Sequence, residues 1–184
     1  MASIQKIEDI KIAVDSIGDS GSENTLSFKP EILGEILFND DIKPLKPLNI
    51  HYILTREGDM IHAEINIKSE VETLCSICLG SMKYPIDLAL VTDYLPAHDD
   101  MQGDLEALRQ SQEIGYYRKD ICLGAFILSE IVLSTPIRYE CRVGCKGLCP
   151  ECGVNLNEGL CSCEKKPDPR LEKLTILKTK LRRE

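Results

Sequence analysis

Six of the nine cysteines in this 184-residue chain fall between positions 141 and 163, as Cys141-x3-Cys145, Cys149-x2-Cys152-Gly153 and Cys161-x-Cys163. Thiols at this density suit a soft cation. A Cys-x2-Cys turn closed by glycine brings two thiolates and the NH groups between them onto one ion, provided Gly153 takes a positive φ. Four such ligands complete a tetrahedral Zn²⁺ site, and Cys161 with Cys163 return the chain to the ion held by Cys149 and Cys152. Cys145 lies near enough in sequence to compete with Cys161 for the same ion. An iron–sulfur cluster would use the same thiolates. Disulfides are the third use of such residues. An odd cysteine count, and a start at Met1-Ala2-Ser3-Ile4-Gln5-Lys6 without the pattern of a signal peptide, weigh against them.

Cys75-x2-Cys78 is a second, weaker signal. It either joins Cys141 and Cys145 in an additional four-cysteine metal site or stays an unmetallated pair, and the looser Cys141-x3-Cys145 spacing weighs toward the latter. A thioredoxin-like role would need the pair at a helix amino end, whereas it lies between predicted strands. Lys146 is expected to balance thiolate charge, because four thiolates around Zn²⁺ leave a net charge of about −2. Cys122 stands alone and reads as a buried small hydrophobe.

Catalytic groupings are otherwise missing. His51, His62 and His98 form no ligand pair and no dyad with a nucleophile, and no glycine-rich phosphate loop is present. The chain therefore reads as a non-enzymatic protein with a structural metal and no small-molecule substrate. The alternative is a metal-dependent redox or zinc-handling protein. A zinc enzyme would need three protein ligands and an open position.

The elements that must position these thiols follow from periodicity. Residues 6–15 predict a strand by β-branched content, and 30–38 a short helix or a strand. Strands over 49–56 and 60–68 flank a turn at Glu57-Gly58-Asp59, with Ile61, Ala63, Ile65 and Ile67 on one face. A further strand over 84–95 makes an antiparallel meander with the Cys75 turn at one end. Residues 96–112 predict an acidic loop with a short helix at 105–110, and Tyr116-Tyr117 a brief strand. Leu123 to Ser134 is apolar nearly all round, which predicts a buried helix ending before Pro136. Asp168-Pro169 opens a capped helix striped by Leu171, Leu174 and Leu177. The fold class expected is α+β: an antiparallel β meander or partly open barrel with a buried helix and a carboxyl-terminal cysteine-rich zinc-binding segment. The domains expected are 1–138 and 139–184.

The formal net charge of −8 is uneven: residues 164–184 carry eight Lys or Arg against four acidic residues, leaving −12 on the remainder. A broad phosphate-binding face on the body is thereby disfavoured, and any RNA contact is placed in the tail, at Lys178, Lys180, Arg182 and Arg183. With 43% hydrophobic residues and no apolar run of membrane-spanning length, a soluble cytoplasmic protein without membrane contact is expected.

Cys145-Lys146-Gly147-Leu148-Cys149-Pro150-x-Cys152-Gly153-x-Asn155-Leu156-Asn157, then Cys161-x-Cys163 and Asp168-Pro169-Arg170-Leu171, resembles the bacterial YceD family, the large ribosomal RNA subunit accumulation proteins. The similarity is strongest over the last 45 or so residues and is supported upstream by Cys75-x2-Cys78 ahead of a β segment. It implies a cytoplasmic, non-enzymatic protein needed for 23S ribosomal RNA accumulation and large-subunit assembly. The implied partner is pre-ribosomal RNA or a large-subunit ribosomal protein. Some family members lack the cysteine-rich stretch, which implies that the metal staples the fold rather than supplying the function.

Overall fold

Strict alternation of apolar and polar residues builds the frame that carries the thiols. In the computed structural model, which describes residues 6–18, 20–37, 41–98 and 114–163, three long strands run as an antiparallel meander: β4 (Leu48–Glu57), β5 (Met60–Leu74) and β6 (Ser81–Pro96). Leu48, Ile50, Tyr52 and Leu54 of β4 and Ile61, Ala63, Ile65, Ile67 and Val71 of β5 are buried. Their neighbours Asn49, Glu64 and Lys68 are exposed, so one sheet face meets the core and the other meets water. The β4–β5 turn has two central residues, and Gly58 takes φ 63° at the first, as a type II′ hairpin requires.

Shorter strands extend the sheet. β2 (Ser22–Phe28) pairs antiparallel with β4, and β3 (Lys43–Pro44) with the far end of β5. β7 (Gly115–Tyr117) joins β6 in parallel, so the sheet is mixed rather than purely antiparallel. The resulting order is β2-β4-β5-β6-β7, with β3 beside β5. The sheet is not closed, since β2 and β7 at its ends do not pair with each other. β1 (Lys11–Ala13) and β8 (Asp120–Cys122) form a separate antiparallel pair.

Two helices cover the apolar face. α1 (Glu31–Leu37) buries Leu33 and Ile36, and α2 (Leu123–Ser134) buries Leu123, Phe126, Ile127 and Ile131 in the same core. The architecture is thus α+β. The helix expected to be buried docks along one flank, with Val132 and Leu133 of α2 47% and 76% exposed on the other. The strand expected over 6–15 is also corrected. Only Lys11–Ala13 pairs, between 3₁₀ turns at Ile7–Asp9 and Val14–Ser16 whose buried Ile7 and Val14 face the core. The helices expected at 105–110 and 168–178 lie outside the described residues. No helix among the described residues is long and apolar enough to cross a membrane.

Candidate metal centres

The β5–β6 hairpin ends in Cys75-Ser76-Ile77-Cys78-Leu79-Gly80. The Cys75 NH donates to the Gly80 carbonyl at 2.9 Å and the Leu79 NH to the Cys75 carbonyl at 2.9 Å. The same pattern recurs at the second knuckle, where the Cys149 NH donates to Val154 O at 2.8 Å and the Gly153 NH to Cys149 O at 2.9 Å. The residue after each Cys-x2-Cys is left-handed: Gly153 at φ 73°, as its residue type predicts, and Leu79 at φ 57°. A leucine there is strained by about 1–2 kcal/mol, so the two knuckles share one backbone although only one has the expected glycine.

Each knuckle meets a second pair of thiols. Cys75 and Cys78 converge with Cys141 and Cys145, and Cys149 and Cys152 with Cys161 and Cys163; within each set all four Sγ atoms lie within 4.8 Å of one another. Cys75 Sγ is 3.9 Å from Cys145 Sγ, and Cys78 Sγ is 3.7 Å from Cys141 Sγ. A tetrahedral ion with Zn–S bonds of about 2.3 Å separates its sulfurs by about 3.8 Å, so this spacing fits the ion. None of the nine cysteines is in a disulfide.

The set of Cys149, Cys152, Cys161 and Cys163 is the one expected from spacing. Cys145 does not displace Cys161, because it belongs to the other set. Of the two uses weighed for Cys75 and Cys78, the geometry matches the set shared with Cys141 and Cys145. Two hydrogen bonds hold residue 139 beside residue 76, with the Ser76 NH donating to Tyr139 O at 2.8 Å and the Tyr139 NH to the Ser76 side-chain Oγ at 3.1 Å. That pairing delivers Cys141 to the hairpin tip, and the Cys141 NH donates to Cys75 Sγ at 3.4 Å. Nothing local to the 75–80 sequence signals this, since the partners lie more than sixty positions away.

Electrostatics differ within each set. Burial opposes ionisation of Cys75, but NH groups of Cys141, Cys78 and Ile77 outweigh it and bring the thiol down to about 6. Cys149 likewise falls to about 6, chiefly through the NH groups of Cys152 and Glu151. Burial, with the neighbouring thiols of Cys145, Cys78 and Cys75, pushes Cys141 up to about 12. Cys163 is pushed up to about 12, first by its hydrogen bond with Cys152 and then by burial. Each set therefore holds at least one ready thiolate and one thiol that must release a proton on binding metal, so affinity falls on acidification.

Second-sphere contacts come from the loop between Cys152 and Cys161. Asn157 Nδ2 donates to Cys145 Sγ at 3.2 Å, while Asn157 Oδ1 accepts from the Lys146 NH at 2.9 Å and from Arg142 Nη2 at 2.7 Å. Lys146 thus enters the site through its backbone, and the side-chain cation reaching this loop is Arg142. Neither Asn157 nor Arg142 carries a spacing cue in the sequence that marks it as a contact to the thiols. Gly147, at φ 74°, lies where a Cβ would come within 2.9 Å of Ile77 Cγ2, so only glycine lets the two knuckles approach this closely.

Outside these sets, Cys122 is exposed at the start of α2, against the expectation of a buried residue. His51 Nε2 lies 2.8 Å from Glu23 Oε1 and His62 Nδ1 lies 2.6 Å from Asp93 Oδ1, pairs on the solvated sheet face, and His98 is exposed. Lys178, Lys180, Arg182 and Arg183 lie outside the described residues.

An uncharacterized protein of Mycobacterium tuberculosis and one of Mycobacterium bovis are each 28% identical to this chain over 146 residues, spanning 79% of this chain and 68% of their own length. No solved structure matches the chain at the same level of significance. The family model described as large ribosomal RNA subunit accumulation protein YceD matches residues 63–178, a stretch that contains β6, α2 and all eight clustered cysteines. With more than half of its length matched, and with both thiol sets inside the match, the chain belongs to the YceD family.

Proposed function

We propose that this protein is a non-enzymatic, cytoplasmic ribosome-biogenesis factor that supports 23S ribosomal RNA accumulation and large-subunit assembly, its fold stapled by Zn²⁺ in two four-cysteine sites. The observation that carries this reading is the family match over residues 63–178. Bound zinc would supply crosslinking of the chain rather than Lewis-acid chemistry, since four thiolates fill a tetrahedral shell and leave no position for substrate. The chain is read as a β domain over 1–138 joined to a metal-binding segment over 139–184.

The partner is pre-ribosomal RNA or a large-subunit ribosomal protein. Charge favours RNA contact through the tail, because the remaining chain at −12 repels phosphate while residues 164–184 carry +4. Replacing Lys178, Lys180, Arg182 and Arg183 together by Glu is expected to reduce ribosomal RNA recovered by crosslinking at least about tenfold and to flatten its salt dependence. Far-UV circular dichroism should stay unchanged. Wild-type recovery with wild-type salt sensitivity would move the contact to a basic ribosomal protein on the acidic body.

Thiol alkylation separates a structural site from the redox or zinc-handling alternative. Alkylation of the metal-loaded protein should modify one cysteine, Cys122, and after chelation all nine, as read by intact-protein mass spectrometry. Rapid modification of Cys75 or Cys149 in the loaded protein would favour the alternative, since labile low-pKa thiols are what exchange or redox chemistry needs.

A further inference from the structure

The two thiol sets are joined by a polar bridge that neither needs for its own four ligands. Asn157 lies between Cys152 and Cys161, within the loop that closes the Cys149 set, yet its Nδ2 donates to Cys145 of the Cys75 set at 3.2 Å. Asn155 Oδ1 fixes it by accepting from the Asn157 NH at 3.0 Å and from Asn157 Nδ2 at 2.8 Å. Asn155 is itself held, with Nδ2 on Glu158 Oε1 at 2.8 Å. A short bridge of backbone pairs Leu148 with Asn155, and the Leu156 NH donates to Gly147 O at 2.9 Å. Residues 146–148, which connect the last ligand of one set to the first of the other, are thereby clamped to the loop carrying Asn157.

We propose that Asn157 is a positioning residue that couples the two metal sites: closing the Cys149 set aims its amide at Cys145, so metal in either set raises the affinity of the other. The proposal rests on the reading of both sets as metal sites. The physical argument has two parts. An NH donor on a ligating thiolate disperses its charge and fixes its direction, and loss of such a contact typically lowers metal affinity about 10–100-fold. That donor is in place only while the loop from Cys152 to Cys161 is closed, and thermodynamic linkage makes the effect reciprocal.

The test uses the full chain, reduced and metal-free, with Cd²⁺ as the probe. Binding is followed site by site through cadmium NMR in competition with a chelator, and the two resonances are assigned with a Cys149→Ala/Cys152→Ala variant. Breaking the Cys149 set in this way is expected to lower Cd²⁺ affinity at the Cys75 set about tenfold. Asn157→Asp keeps the acceptor for Lys146 and Arg142 but turns an oxygen toward Cys145. It should lower affinity at the Cys75 set by at least as much with the Cys149 set intact, and breaking that set should then add little. Asn157→Leu, which removes both polar functions at similar size, should behave the same way.

Unchanged affinity at the Cys75 set in both Asn157 variants overturns the coupling. So does an equal effect of breaking the Cys149 set with and without Asn157. In either case Cd²⁺ binding at two resonances leaves the metal reading standing, whereas a parent chain that binds no Cd²⁺ overturns both.

Discussion

Chelation of the reduced protein should release two zinc ions per chain and disorder residues 140–163 together with the hairpin tip at 75–80, while the sheet persists. The expectation follows from where apolar burial lies. Between 140 and 163 the buried side chain is that of Cys149, whereas Val143 and Leu160 are 101% and 95% exposed. No helix or strand of more than one bridged pair forms there among the described residues. Such a segment has no hydrophobic means of offsetting its conformational entropy, and ligation must do so. Structural zinc in small peptides contributes an apparent binding free energy of about 10–16 kcal/mol at neutral pH, enough to hold a segment of this size. The sheet and both helices share their own core, from Ile7 through Tyr139. Elemental analysis should find one ion fewer in Cys152→Ala and the other missing in Cys78→Ala, and hydrogen exchange should rise only in the two named regions. A cooperative loss of the whole β signal on adding chelator would instead make the thiol sets part of the core.

The Cys149 set was legible because every cue was local. Cys149-x2-Cys152-Gly153 carries its own glycine, and Cys161 and Cys163 return within nine to eleven positions. The Cys75 set could be read only as one of two alternatives, for two physical reasons. Leu79 occupies the left-handed position that Gly153 marks in the other knuckle, so residue type concealed a turn the backbone nevertheless makes. Its partner thiols arrive by a nonlocal pairing of residue 139 against residue 76, which periodicity does not encode. The meander itself was readable from period-two alternation, since Ile61, Ala63, Ile65 and Ile67 are all buried at 1% or less. Tyr116 and Tyr117 mark β7 as a strand, but a three-residue strand has too little pattern to specify the direction of its partner. The extent of α2 is legible in sequence but its docked flank is not: apolar residues on every side say that a helix could be buried, and only packing decides which flank is.

The same substitution should act with opposite signs in the two helices. Gly34 lies inside α1 with nothing within 4 Å of where a Cβ would stand. Gly34→Ala should therefore stabilise the protein by about 0.5–1 kcal/mol, the ordinary gain from replacing glycine in a helix. Gly124, in the first turn of α2, differs. A Cβ there would lie 1.9 Å from the carbonyl oxygen of Ile7 and 2.9 Å from its carbonyl carbon. The obstruction is backbone, which no rotamer change relieves, and the turn is further fixed by the Gly124 NH donating to Ile10 O at 3.0 Å. α2 must then move away from the 3₁₀ turn at Ile7–Asp9, separating Ile7 and Ile10 from Leu123 and Ile127, all of them 2% exposed or less. Overpacking with loss of those contacts should cost about 3 kcal/mol or more, outweighing the helix-propensity gain several-fold. Urea denaturation of Gly34→Ala and Gly124→Ala measures both at once. The metal content of either variant should match the parent below its unfolding transition, because all eight thiol ligands sit on other elements. A Gly124→Ala protein as stable as the parent would mean that the amino-terminal turn does not pack on α2 as closely as these distances require.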